Sequence, residues 1–140
     1  MATTRMTGIN ILLVEDEESQ LHLATHILEM RGYRVFPCHH SDAALRAVAD
    51  TDDSIHLLLT DVRMAPHMSG CLLASRMRQV QPDIQVLYMT GYPASDTVGR
   101  EVQHGIAGLV KKPFTPTGLL EAVEKALEKA LEKAGIRAHV

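Results

Sequence analysis

Aromatic residues are scarce in this sequence: there is no tryptophan, and tyrosine and phenylalanine together make up only 4%. The hydrophobic core must therefore be built mainly from aliphatic side chains. Cysteine is scarce too, because Cys38 and Cys71 are the only two and they lie far apart, outside any metal-ligand spacing. This usage excludes a disulfide framework and indicates ordinary buried thiols in a reducing compartment.

A surplus of basic residues is also missing. Fourteen Lys and Arg residues stand against seventeen Asp and Glu residues, which gives a formal net charge of −3. Nucleic-acid-binding surfaces are strongly basic, so we expect no direct nucleic-acid partner. No apolar run approaches the roughly 20 residues that span a bilayer, and residues 1–8 carry no apolar signal segment. We therefore expect a cytoplasmic protein with no membrane partner.

The overall composition fits one globular domain. The chain has 140 residues, of which 46% are hydrophobic and 22% are charged, close to the averages of globular proteins. No linker or low-complexity stretch divides it. We predict an N-terminal extension over residues 1–8, one domain over residues 9–134 and a tail over residues 135–140.

Short apolar runs alternate with segments of helical periodicity. Continuous apolar runs are typical of parallel strands that are covered on both faces, and a shorter, more polar run is typical of an edge strand. The strand candidates are 9–14, 55–59, 84–89 and 106–110, with 33–36 as the edge strand. The helix candidates are 21–28, a segment capped by Ser41, 73–80, a weak helix near 95–104 and a long helix from Thr115 and Pro116 to Gly135. This order predicts an α/β fold of five βα units with a parallel sheet between helices.

Polar side chains follow four of these strands. Glu15 and Asp16 come after the first strand, and Asp61 and Thr90 come after two of the inner strands. Lys111 and Lys112 come after the last strand. Ligands of an open parallel sheet bind at the carboxyl ends of its strands, so we expect these residues to share one edge of the sheet.

Three carboxylates at one point repel each other unless a positive charge compensates them. Mg²⁺ suits a site that supplies two or three carboxylates and completes its shell with water. A lysine ammonium adds a fixed positive charge, and the Thr90 hydroxyl can donate to an anionic oxygen. These groups are what phosphoryl transfer needs, with Asp61 as a nucleophile that would form an aspartyl phosphate.

Four motifs in order resemble the receiver domain of two-component response regulators. They are Ile11-Leu-Leu-Val-Glu-Asp-Glu, Leu58-Leu-Thr-Asp61-Val-Arg-Met, Tyr88-Met-Thr90-Gly and Val110-Lys-Lys112-Pro-Phe, and the likeness covers roughly residues 8–130. The resemblance implies a doubly wound, flavodoxin-like sheet of order 2-1-3-4-5. It implies that Asp61 accepts a phosphoryl group from a histidine kinase or histidine phosphotransfer protein, with Thr90 and Lys112 on the phosphoryl oxygens.

The same resemblance implies a ligand set for Mg²⁺. Asp16, Asp61 and the backbone carbonyl of Arg63 would bind the ion, and Glu15 would act mostly through water. Arg63 and Tyr92 occupy positions that flank the phosphoryl group in this family and influence its lifetime.

Three features depart from the family pattern. Glu15 stands where Asp is common, and the loop over residues 64–70 is one residue longer than usual. Leu109 occupies a position that is often aromatic, so an aromatic rotation there is not available and signalling has to rely on backbone and loop movement.

These observations favour a phosphorylation-dependent switch that acts on a downstream protein, or on a second copy of the chain, through the surface of the last two helices. The chain would be a single-domain regulator or a receiver cut from a hybrid kinase. Two alternatives remain: a receiver-like docking module that needs no phosphorylation, and a phosphohydrolase of the haloacid-dehalogenase type. The hydrolase needs a general acid two residues after the nucleophile, where this chain has Arg63.

Overall fold

Five strands and five helices alternate along the chain. The computed structural model describes residues 8–63, 68–91 and 96–128. The strands are β1 (Asn10–Val14), β2 (Arg34–Cys38), β3 (Leu57–Asp61), β4 (Gln85–Thr90) and β5 (Gly108–Lys111). The helices are α1 (Glu18–Met30), α2 (Ser41–Ala49), α3 (Gly70–Val80), α4 (Asp96–Gln103) and α5 (Pro116–Ala126).

All strand pairs are parallel, and the sheet has the order β2-β1-β3-β4-β5. This confirms the predicted fold class, and it confirms β2 as an edge strand. The β2 strand includes Pro37, which is exposed and lies opposite Leu13 of β1. The inner strands β1, β3 and β4 are buried almost throughout, as their continuous apolar sequences predict.

Successive residues of each inner strand contribute to two separate cores. In β1, Ile11 and Leu13 pack with α1 and α5, whereas Leu12 and Val14 pack with α2 and α3 on the opposite face. The alternation follows from the two-residue period of side chains along a strand. Both faces of the sheet are covered by helices, so a polar ligand site is confined to the strand ends.

Two strands start two residues later than predicted, for identifiable reasons. The third strand starts at Leu57 rather than Ile55, because the Ile55 N–H donates to the side-chain Oε1 of Gln81 at 2.7 Å. The last strand starts at Gly108 rather than Ile106. The N–H groups of Ile106 and Ala107 donate to the Glu101 carbonyl, which keeps both residues in the turn that follows α4.

The predicted N-cap of α2 was wrong. His40, not Ser41, has the extended backbone of a cap, and its Nδ1 accepts from the Ala43 N–H at 3.3 Å. The buried Ser41 hydroxyl instead donates to the Met68 carbonyl at 2.7 Å. At α5 the prediction is confirmed, because Thr115 Oγ1 accepts from the Gly118 N–H at 2.9 Å and Pro116 is the first helical residue.

Several predictions fall outside the described residues. These are the middle of the loop after Asp61 (64–67), Tyr92 and both chain termini. The last helix ends at Ala126 with Leu127 as its C-cap, short of the predicted end at Gly135, and residues 129–140 lie outside the described part of the chain. Within the described ranges, no helix has the length and apolar character required to cross a membrane.

Gly70 begins α3 in close contact with the end of β3. A Cβ built at this position would overlap the backbone carbonyl of Asp61, and the Gly70 N–H donates to the Val62 carbonyl at 2.9 Å. We expect Gly70→Ala to lower the free energy of unfolding by about 1–3 kcal/mol, because the backbone must shift to admit the methyl group.

Gly99 provides the matched control, since it lies within α4 and a Cβ there meets no atom within 4 Å. Gly99→Ala should be neutral or stabilise by about 0.5–1 kcal/mol, because alanine favours the helix. Urea denaturation of both variants measures the difference. Equal stability of Gly70→Ala and the unsubstituted protein would contradict this interpretation of the contact.

Candidate functional site

The site lies at the carboxyl ends of β1, β3 and β5, where the chain turns out of the sheet. Glu15 directly follows β1, and its N–H donates to the Cys38 carbonyl at 3.0 Å. Asp61 is the last residue of β3. Lys112 follows β5, and its N–H donates to the Thr90 carbonyl at 2.8 Å. Parallel strand order therefore brings together residues that are far apart in the sequence.

Lys112 joins two of the carboxylates. Its Nζ lies 2.6 Å from Glu15 Oε1 and 3.2 Å from Asp61 Oδ2. The Glu15 side chain is almost fully buried, while those of Lys112 and Asp61 are each 15% exposed. Charge-assisted hydrogen bonds of this kind are short and strong, so the ammonium holds both carboxylates in fixed positions. The following Lys112–Pro113 peptide bond is cis.

Burial changes the protonation of the site. It raises the pKa of Glu15 from its ordinary value of 4.5 to about 7, although the hydrogen bond from Lys112 acts in the opposite direction. Burial alone would lower the pKa of Lys112, but the hydrogen bond to Glu15 and the negative charge of Asp61 outweigh it, so the pKa of Lys112 is raised. Lys112 therefore stays charged at neutral pH, and Glu15 is partly protonated when no cation is bound.

The three carboxylates form a group with the properties of a cation site. One oxygen from each of Glu15, Asp16 and Asp61 lies within 4.8 Å of the others. The buried Glu15 Oε2 has no hydrogen-bond partner among the described residues, although a buried carboxylate oxygen is costly to leave unpaired. Hard divalent cations prefer such all-oxygen ligand sets, so these residues fit Mg²⁺.

A cavity of about 640 Å³ opens beside these carboxylates. Its lining includes Glu15, Asp16, Asp61 and Lys112, together with residues to which the sequence analysis assigned no role in the site. These additional residues are Glu17, Gln20, Leu23, Gly91, Pro113 and Phe114. Leu23, which lines this cavity, is 52% exposed. The only indication of this role in the sequence was the helical periodicity of α1, which places Leu23 beside the buried face of the helix rather than within it.

The remaining predicted residues, Thr90, Lys111 and Arg63, are not among the residues that line this cavity. Thr90 ends β4 and is 4% exposed, and its position in the sheet pairs it with Lys111 of β5. Lys111 is exposed, whereas its neighbour Lys112 enters the site. Arg63 follows Asp61 by two residues and its side chain is exposed. The metal-binding role of the Arg63 carbonyl stays a prediction, as do the chemical roles of the other site residues.

Comparison with known proteins identifies the family. The response regulator receiver domain model matches residues 11–124 of this chain. The chain belongs to the response regulator receiver domain family. This membership confirms the resemblance seen in the four motifs, and the domains of this family are regulatory phosphoacceptor domains.

Individual relatives of this receiver domain differ greatly in length. The chain is 32% identical to the response regulator receiver protein CpdR of Brucella abortus, over 82% of this chain and 93% of CpdR. It is 31% identical to the sensor kinase CckA of the same organism, over 89% of this chain but only 13% of the kinase. The chain spans 29% or less of the length of several other curated relatives that it matches.

Solved structures support the same assignment. A receiver domain protein from Clostridium thermocellum aligns with a TM-score of 0.78 at 26% identity, over 89% of this chain and 98% of the other. The parallel sheet of order β2-β1-β3-β4-β5 is therefore the receiver fold.

Proposed function

We propose that this receiver domain accepts a phosphoryl group on Asp61 in a Mg²⁺-dependent reaction. The observation that carries the proposal is the position of Lys112 Nζ between Asp61 Oδ2 and Glu15 Oε1, beside the group of three carboxylates. A carboxylate nucleophile, a fixed positive charge and a cation site thereby share one cavity.

The reaction consistent with these groups is transfer from a phosphohistidine. A carboxylate oxygen of Asp61 attacks phosphorus, a P–O bond forms and the P–N bond of the donor breaks. The imidazole leaves as a neutral ring when its other nitrogen carries a proton. Three equatorial oxygens share the negative charge during transfer, so the donors that face them determine the rate.

Each side chain of the site has a role in this proposal. Asp16, Asp61 and the Arg63 carbonyl would hold the metal, with Glu15 acting mostly through water. When bound, Mg²⁺ supplies positive charge against the carboxylates and the phosphoryl oxygens. Lys112 and the Thr90 hydroxyl would contact those oxygens, and Lys112 would move from its present carboxylate partners towards the new charge.

A histidine kinase or a histidine phosphotransfer protein would be the donor. The rim of the cavity supports a protein donor because exposed Leu23 and half-buried Phe114 lie next to the acidic centre.

After phosphorylation, the surface of α4, β5 and α5 would bind a downstream protein or a second copy of the chain. The match to both CpdR and CckA is compatible with a single-domain regulator and with a receiver that is part of a hybrid kinase.

Intact-mass spectrometry tests the proposal directly. The protein is incubated with acetyl phosphate and Mg²⁺, with a parallel sample that contains EDTA. We expect the mass of one phosphoryl group to be added in the first sample and almost none in the second. An unchanged mass in both samples contradicts the phosphoacceptor role and favours a docking module. Continuous release of phosphate from small phosphomonoesters would instead indicate a hydrolase.

Leu23 allows the protein donor to be tested separately. We expect Leu23→Ala to slow transfer from a phosphorylated histidine phosphotransfer protein by about tenfold, because it removes an exposed apolar contact at the rim. The loss with acetyl phosphate should be much smaller. Leu72→Ala is the control, since Leu72 is similarly exposed (46%) but lies on α3 outside the cavity. Equal losses with both donors, or equal losses in both variants, would contradict a docking role for Leu23.

A further inference from the structure

Tyr88 is a fully buried tyrosine in the middle of the sheet. It belongs to β4 and precedes Thr90 by two residues, so the two side chains project from the same face of the strand. Its ring packs in the core that also contains Val98 of α4. In the register of the sheet Tyr88 lies opposite Leu109 of β5, which is apolar and packs against the same core.

The Tyr88 hydroxyl reaches out of the sheet to α4. It donates to the carboxylate of Glu101, with distances of 3.0 Å to Oε1 and 3.1 Å to Oε2. The guanidinium of Arg78 on α3 donates to the same Oε1 at 2.8 Å. Burial raises the pKa of Tyr88 well above its ordinary value, so the hydroxyl keeps its proton and remains a donor. Glu101 therefore links α4 to both β4 and α3.

The backbone of Glu101 adds a third link. Its carbonyl accepts from the Ile106 N–H at 2.8 Å and from the Ala107 N–H at 3.3 Å, just before β5. One residue thus connects α4 to the strands on either side of the β4–β5 crossover.

The rest of α4 is weakly attached. The helix has only eight residues and contains Gly99, and Val98 is the single buried side chain among those described in it. A short helix with few buried contacts has low local stability. The position of α4 therefore depends strongly on Glu101.

We propose that the hydrogen bond between Tyr88 and Glu101 is a latch that holds α4 in its resting position and opens when Asp61 is phosphorylated. The inference rests on the proposed function of Asp61. Thr90 projects from the same face of β4 as Tyr88, and Val98 of α4 packs in the core that contains Tyr88, so a movement of Thr90 towards a phosphoryl group would disturb the contacts between β4 and α4. The latch opposes this movement because it ties α4 back to the same strand, two residues before Thr90.

A contact present in only one of two states biases the equilibrium by its own interaction free energy. Tyr88→Phe keeps the ring in the core and removes only the hydroxyl, while Glu101 keeps its ion pair with Arg78. We expect the variant to be phosphorylated by acetyl phosphate about tenfold faster than the unsubstituted protein, because its resting state is less favoured. Without phosphorylation, hydrogen exchange at the amides of residues 99–103 should be faster in the variant than in the unsubstituted protein. When both proteins are loaded with beryllofluoride and Mg²⁺, their exchange rates should be the same.

Tyr33→Phe is the matched control. Tyr33 is almost equally buried, and its hydroxyl has no hydrogen-bond partner among the described residues. It should change neither the phosphorylation rate nor the exchange of α4. Glu101→Gln and the double variant Tyr88→Phe/Glu101→Gln complete a double-mutant cycle. We expect the effects of the two substitutions on the phosphorylation rate to be clearly non-additive, because both remove the same contact.

A purely structural role gives a different result. If the bond only stabilised the fold, Tyr88→Phe would raise hydrogen exchange in α4 equally with and without beryllofluoride. Its phosphorylation rate would be unchanged or reduced. Either of these results in Tyr88→Phe overturns the latch. If the unsubstituted protein takes up phosphate and Tyr88→Phe behaves like it, the latch is wrong and the proposed function stands. If the unsubstituted protein takes up none, both are wrong.

Discussion

Asp61→Asn should reduce covalent phosphorylation by acetyl phosphate to below about 1% of the unsubstituted protein, because the amide is not a nucleophile. The fold should persist. Asp61 faces two negative groups, Glu15 and Asp16, and one positive group, Lys112, so its net electrostatic environment is repulsive once Glu15 is ionised. At pH 8, above the pKa of Glu15, we expect the metal-free variant to gain about 1 kcal/mol of stability.

Asp83→Asn is the control for this prediction. Asp83 is exposed in the turn before β4, away from the cavity, so its loss should leave phosphorylation unchanged. Intact mass measures the phosphorylation, and urea denaturation measures the stability. Full modification of Asp61→Asn would show that another residue is the acceptor.

Lys112→Met should slow phosphorylation by about 10²–10³-fold, which is the usual effect of losing one donor to a developing anionic charge. The buried Glu15 also loses its hydrogen-bond partner, so its pKa should rise above about 7. Metal-free Lys112→Met should therefore carry a proton on Glu15 at neutral pH, and proton uptake can be measured by titration against the unsubstituted protein.

Lys111→Met separates this effect from a general loss of positive charge. The two lysines are neighbours, but Lys111 is exposed at the end of β5 and makes no contact with the cavity. Only the Lys112 variant should be slow. Similar rates for the two variants would remove Lys112 from the proposed mechanism.

The sequence predicted the positions of the strand ends well because burial on both faces leaves a clear pattern. Five apolar runs identified the parallel sheet, and the residues after them indicated which carboxylates and which lysines could meet. The choice of Lys112 over Lys111 needed the resemblance to the family, and the structure places Lys112 in the group. Periodicity alone cannot identify the inward-facing residue where a strand ends.

Interactions between distant segments could not be predicted in this way. Ser41 has the residue type of a helix cap, but the Met68 carbonyl competes for its hydroxyl, and His40 takes the capping position instead. Likewise, Ile106 has the character of a strand residue, but the Glu101 carbonyl holds it in a turn. The Tyr88–Glu101 bond has no local signature, because it depends on how α4 lies over β4.

Pro37 limits how this sheet can associate with another one. Along β2, the Arg34 N–H and the Cys38 carbonyl form hydrogen bonds on the β1 side. Backbone groups alternate in direction along a strand, so those of residues 35 and 37 point to the open edge. Proline has no N–H to offer there, and a neighbouring strand added at β2 would lose a ladder hydrogen bond. The open edge of β2 is thereby protected against strand addition and fibre growth, so two copies of this chain would have to associate through the β5 edge of the sheet or through their helices.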